Sequence, residues 1–125
     1  MTAEESLVAR LTATAGVTSL VGTRIYPMQA PQTAVLPLVT YQRISTVRPG
    51  SLRGPVGLAD PRIQVDCWAE SYSAVKVLAD QVRRSLDGYA NGDVVALILG
   101  EHDLLDDDGR RHRVSQDYSV WIGEV

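Results

Sequence analysis

The chain has no phenylalanine, a single cysteine and no basic excess, and each shortage closes off a class of explanation. Without Phe, aromatic packing falls to five Tyr and two Trp, so where each Trp sits carries weight. One cysteine, Cys67, cannot form an internal disulfide, and nothing here asks for an oxidising compartment. A net charge of −3 and a pI near 5.2 have the wrong sign for a generic nucleic-acid binder, although a local basic patch is compatible with them. No apolar run approaches the roughly 20 residues of a membrane-spanning helix. The start, MTAEESLVARL, lacks the basic residues and continuous apolar stretch of a signal peptide. The chain therefore reads as a soluble protein that begins in a reducing cytoplasm.

What is present suits one folded domain, residues 1–125, around one core: 45% of the residues are hydrophobic and 22% charged. Thr2 and Glu5 fit a capping box, in which a hydroxyl and a carboxylate satisfy free backbone N–H groups at a helix start. Leu7, Val8, Leu11 and Ala15 then recur at helical spacing, and Gly16 is the expected stop. Pro27, Pro31 and Pro37 limit the next stretch to extended chain at an edge. LVTYQRIST reads as a strand, and Val47 to Pro61 as a long loop rich in Gly and Pro. In RIQVDCWAE, Ile63, Val65, Cys67 and Ala69 alternate with Gln64, Asp66 and Trp68, which marks a strand with one apolar face.

SYSAVKVLADQVRRSLDG follows as a helix, with Val75, Leu78, Ala79, Val82 and Leu86 as its buried stripe and Gly88 at its end. Lys76–Asp80, Asp80–Arg84 and Arg83–Asp87 are spaced to pair on its wet side. DVVALILGEHDLL is apolar at odd and even positions, which predicts a strand whose centre is covered on both sides. RHRVSQDYSVWI places Val114, Tyr118, Val120 and Ile122 on one face; Arg113, Ser115, Asp117, Ser119 and Trp121 fall on the other. The expected architecture is α+β: two helices against one face of a mainly antiparallel sheet.

The densest cluster of reactive groups is HDLLDDDGRRHRV, His102 to Val114. Asp108-Gly109 between two strands signals a tight hairpin turn. That register sets Asp106 and Asp107 against Arg111 and Arg110, His102 against Ser115, and His112 against Leu105. The run is then a ladder of opposite charges, each pair worth roughly 0.2–1 kcal/mol. It is not a metal site: the guanidinium groups oppose a cation, and the spacing of an EF-hand is missing. Cys67 falls on an apolar strand face, away from both histidines, as a buried thiol does. Gly50, Gly54 and Gly57 do not lead into a Lys-Ser or Lys-Thr helix start, so no phosphate cradle is indicated. No pair of carboxyl groups stands out as an acid–base couple. No catalytic, metal-binding or cofactor-binding residue emerges.

Two features point outward. Trp68 and Trp121 lie on strand faces that are otherwise polar, and Trp is enriched in interface hot spots. If the helices cover the face of Val65 and Val120, both Trp lie on the far side, either shielding their neighbours or contacting another subunit. The Gly/Pro loop carries Arg48, Leu52 and Arg53, either as a solvent loop or as a segment that orders against a partner's acidic surface or reaches into a ring lumen. The edges of a small open sheet also invite strand pairing between chains.

In VGTRIYPMQAPQTAVLPLVTYQRIS, in GLADPRIQVDCWAESYSAVKVLADQVRRSLDG and in DLLDDDGRRHRVSQDYSVWI, the chain resembles the tail-terminator, or tail-completion, proteins of long-tailed bacteriophages, prophages and gene transfer agents. The order of elements matches from end to end, and the motifs are structural ones. The resemblance implies a curved antiparallel sheet with helices on one side and a role in virion assembly without catalysis or cofactor. In that role a ring, expected to be a homo-hexamer, caps the head-proximal end of the tail tube. It stops tube growth and offers a surface to the head-side neck or connector protein. Its partners would be copies of itself, the tube protein and that neck protein. DNA would pass through the lumen without specific binding, and no membrane is involved. The chain would reside at the head–tail junction of the particle, and in the host cytoplasm before assembly. Trp68 and Trp121 would be contact residues, and Arg48, Leu52 and Arg53 would belong to a loop that orders on assembly. The alternatives are another neck component, such as a stopper or adaptor, and, more remotely, a small ligand-binding domain or enzyme.

Overall fold

In a computed structural model, which describes residues 2–51, 54–55, 57–105 and 111–123, the first helix starts as its cap dictates. Thr2 Oγ1 accepts from Glu5 N at 3.1 Å, and Glu5 Oε1 accepts from Thr2 N at 3.1 Å. These bonds hold the Glu5 carboxyl below its usual pKa. Helix α1 spans Ala3–Thr12 and buries Leu7 and Leu11. Gly16 does not end the helical region. The chain turns at Ala13 and Thr14 and enters a second helix, α2, Ala15–Val21, which buries Val17 and Val21. Gly16 instead permits close approach: a Cβ there would lie 2.2 Å from Gln81 Oε1 on the next helix. Three helices therefore pack where two were expected.

The expected strands form one curled sheet, a half-barrel, of six strands. In chain order they are β1 (Ile25–Pro27), β2 (Leu38–Val47), β5 (Leu58–Ala69), β6 (Ala90–Asn91), β7 (Val94–Leu105) and β8 (His112–Gly123). Two-residue strands β3 (Gly50–Ser51) and β4 (Gly54–Pro55) form a small separate ladder between β2 and β5. The order across the main sheet is β1-β2-β5-β8-β7-β6. Among the described residues, only β1 and β2 pair in parallel. The segment expected as a loop from Val47 to Pro61 is thus mostly strand: β2 runs to Val47 and β5 begins at Leu58.

One face of the sheet meets the helices. Ile63, Val65, Cys67, Ala69, Val114, Tyr118 and Val120 are buried there against Leu78, Val82 and Leu86 of α3 (Tyr72–Leu86). The apolar stripes expected on β5 and α3 are the ones that pack. Gln116 is also buried on this face, so it must be satisfied internally. Its Nε2 donates to Ala79 O at 2.9 Å and to Glu101 Oε2 at 3.0 Å, and its Oε1 accepts from Tyr118 Oη at 2.8 Å.

The wet side of α3 differs from its expected ladder. Asp80 pairs with Arg84 at 2.8 Å and also with Arg83 at 2.8 Å. Lys76 turns away from Asp80 to reach Asp103 on β7 at 3.0 Å. Asp87 accepts instead from the backbone N–H of Ile98 at 3.0 Å, and Gly88 turns the chain with φ 79°. The sheet supplied a carboxylate and an unpaired backbone donor that local spacing does not reveal.

The β7–β8 pairing follows the register set by the expected hairpin: His102 faces Ser115 and Leu105 faces His112. The turn, Asp106 to Arg110, lies outside the described residues. Two bulges interrupt the ladders, one between Arg43 and Ser45 on β2 and one between Ile98 and Gly100 on β7. Each inserts a residue and increases local twist and bending.

Candidate interaction face

Alternation along β5 and β8 sends Gln64, Asp66 and Trp68, with Arg113, Ser115, Asp117, Ser119 and Trp121, to the side away from the helices. Both tryptophans lie on this helix-free face, as expected, but in different surroundings.

Trp68 is engaged within the chain. Its Nε1 donates to Thr40 Oγ1 at 3.1 Å, and the Arg113 guanidinium lies 4.9 Å from its ring centroid. Arg113 Nη1 is 3.7 Å from Asp66 Oδ2, and Asp66 also accepts from Gln64 Nε2 at 3.0 Å. Among the described residues, buried Arg113 Nε has no hydrogen-bond partner. The segment carrying Met28, Pro31 and Leu36 closes the other wall of a 510 Å³ cavity over these groups. This end of the face is a polar groove with one aromatic wall.

Trp121 stands at the other end, half-buried and directly opposite Val95 of β7. Val95 is 39% exposed and Leu97, two residues on, 46%. Leu58 at the start of β5 and Val47 at the end of β2 are also exposed. They belong to the same zone, since Val47 pairs with Asp60 and Leu58 with Gly123. Asp60 accepts a hydrogen bond from Ser119 beside them. This corrects the reading of β7 as covered on both sides: Val94 and Ala96 are buried under the helices, whereas Val95 and Leu97 are bare. Apolarity at both parities was the signal for an outward-facing zone, since periodicity cannot tell a covering element from a partner chain.

Arg48 is exposed just beyond β2, next to this zone. Leu52 and Arg53 lie outside the described residues. The structure therefore brings Trp121 and the Arg48 segment to one end of the sheet and leaves Trp68 at the other. Cys67 is fully buried between the sheet and α3, and burial pushes its thiol well above its usual pKa. Among the described residues no three His, Cys, Asp or Glu side chains converge as a metal site would require. The face offers shape, apolar area and a few fixed charges.

A family model described as tail completion protein gp17 matches residues 5–123. No curated protein matches the chain. Among solved structures, a chain from "Virion of native gene transfer agent (GTA) particle" is similar, with a TM-score of 0.79 and 16% identity. The similarity covers 94% of this chain and 91% of that one. At that identity the likeness is one of fold. The family match runs nearly end to end and includes every element of the main sheet and the face just described: the chain belongs to the tail completion protein gp17 family.

Proposed function

We propose that the chain completes a tail by forming a ring of about six copies on the head-proximal end of the tube, where a cyclic head-to-tail contact closes. The ring ends tube growth and presents its upper surface to a head-side neck protein. Membership of a tail completion family puts the protein in the virion tail and supports a structural role. The observation that carries the finer reading is the partly exposed apolar zone of Val95, Leu97 and Leu58 around half-buried Trp121. Clustered aliphatic side chains around a Trp make the centre of a docking surface. The work is geometric: the lower side matches the last tube ring, and the upper side offers nothing on which another tube subunit can add. No bond chemistry is involved. An acidic chain suits a passage for DNA, because phosphate binding draws on net positive charge.

The test is to add purified protein to growing tail tubes in the absence of heads and to measure tube length by electron microscopy. Wild type should arrest the tubes and appear at one end only. Trp121→Ala should need a higher concentration for the same arrest, with the monomer's circular dichroism unchanged. Tubes that grow unchecked, with the protein bound only to portal–neck complexes, would move the assignment to a neck component.

A further inference from the structure

The sheet has two unfinished corners, and they lie diagonally opposite. β1 covers β2 only at Val39, Thr40 and Tyr41, which leaves the outer edge of Gln42–Val47 without a strand. β6 covers β7 only at Val94 and Val95, and Asp87 takes the N–H of Ile98. The outer edge of Gly100–Leu105 therefore has no strand among the described residues either. Unfinished edges are templates for pairing with another chain.

We infer that the open run Gly100–Leu105 of one copy pairs antiparallel with the open run Gln42–Val47 of the next, so that one sheet continues from subunit to subunit. This rests on the ring reading above and names its contact. Three observations support it. The first is direction. β2, β5, β8 and β7 alternate in direction, so two copies side by side with their helices on the same side bring β7 and β2 together antiparallel. Cyclic symmetry needs that common orientation.

The second is face matching. With Gly100 opposite Val47, and with the β2 bulge absorbing Ile44, Gly100, His102 and Leu104 meet Val47, Ser45 and Gln42 on the helix-free side. Glu101 and Asp103 meet Thr46 and Arg43 on the helix side. The third is charge. The β7 run carries two carboxylates, while the β2 run carries Arg43, with Arg48 just beyond it. Within a copy, Arg43 already pairs with Glu4, and Asp103 already pairs with Lys76. The contact would join these into one alternating line, Glu4–Arg43 and then Asp103–Lys76 of the next copy. Pairing β7 with β7 would instead set carboxylates together, which is unfavourable.

The geometry also closes. Within one copy Gly100 shares a row with Gln42, through Asp117 and Gln64. Placing Gly100 opposite Val47 shifts the neighbour four rows along the sheet, from Gln64 to Asp60 on β5 because the bulge absorbs Ile44, or about 13 Å at roughly 3.3 Å per residue. Four strands per copy give a repeat about 19 Å wide at roughly 4.8 Å per strand. A ring that neither rises nor falls then has its strands inclined by about 35°, at the lower limit of the roughly 35–45° typical of closed sheets.

Paired cysteines test the register. In His102→Cys with Ser45→Cys, the new thiols face each other on the helix-free side, while Cys67 stays buried. Oxidation of the assembled protein should give a covalent ladder ending at the mass of the closed ring, whereas each single variant gives none. Native mass measurement of wild type, alone and on tubes, separates the failures. A ring that forms without a ladder overturns the edge contact and leaves the ring reading standing. If wild type never exceeds a monomer in either setting, the ring reading fails and takes the contact with it. A charge swap covers a misfolded cysteine variant. Asp103→Arg and Arg43→Asp should each raise the concentration needed for assembly by about tenfold, and together they should restore it. Unchanged assembly in both single variants counts against the contact.

Discussion

At the scale of single residues, burial decides which of the chemically suggestive side chains are inert. Cys67 has no exposed surface, and burial, with Asp66 and Glu101 nearby, favours its protonated form. Reaction needs the thiolate and access, and the fold withholds both. The native protein should therefore leave Ellman's reagent unreacted over the time in which the denatured chain releases one equivalent. A fast native reaction would mean that the sheet–α3 contact opens readily. Trp68 and Trp121 look alike in sequence, each an aromatic on a polar strand face. What separates them is tertiary: Thr40 and Arg113, from two different strands, occupy Trp68, while Trp121 meets the bare side chain of Val95. Replacing Trp68 should therefore cost stability of the monomer itself. Trp68→Ala removes a hydrogen bond worth about 1 kcal/mol and the stacked guanidinium contact, so its melting temperature should fall while that of Trp121→Ala changes less. Equal losses would mean that Trp121 is as much a part of the fold as Trp68.

At the scale of elements, helix α3 is fastened to β7 by a polar link as well as by its apolar stripe. Asp103 accepts from Lys76 Nζ at 3.0 Å and from Tyr72 Oη at 2.9 Å. These bonds hold its carboxyl below the usual aspartate value near 3.8. A carboxyl with a lowered folded-state pKa contributes stability above its unfolded pKa and loses it as pH falls through the folded value. Lys76 is raised by the same bond, so its contribution persists until alkaline pH. Wild type should therefore lose melting temperature on acidification below about pH 4, and Asp103→Asn should lose less over that range. Identical pH profiles would show that this exposed link adds nothing to folding. Most of the element map was legible in the sequence, because capping residues, period-two strands and a period-3.6 stripe are local signals. Helix α2 was hidden: Gly16 looks like a stop, and the Gln81 side chain that lies against it comes from far along the chain. The two-residue strands β3, β4 and β6 are too short to show a period.

At the scale of the whole molecule, the sequence pattern shows a sheet with one protected face but not the use of the other face. Apolar residues at Val95 and Leu97 read as interior because a single chain offers no other reason for them. Pairing order was equally out of reach, since which strand edges remain open depends on how far β1 and β6 extend. The family match makes the chain a tail component, and the exposed apolar zone at Trp121 is the surface proposed for its assembly.

The bulge between Ile98 and Gly100 has a consequence for how β7 serves two purposes. On its near side the odd-numbered side chains, Val95 and Leu97, look away from the helices; on its far side Glu101 and Asp103, also odd, look towards them. One surplus residue reverses the parity of the strand midway. Trimmed of that residue, β7 would have to turn its grease inward or its acids outward, and either way one half would lose its match. The strand is in effect two short codes spliced out of phase, the first turning its aliphatic side chains to the helix-free face and the second its carboxylates to the helix side.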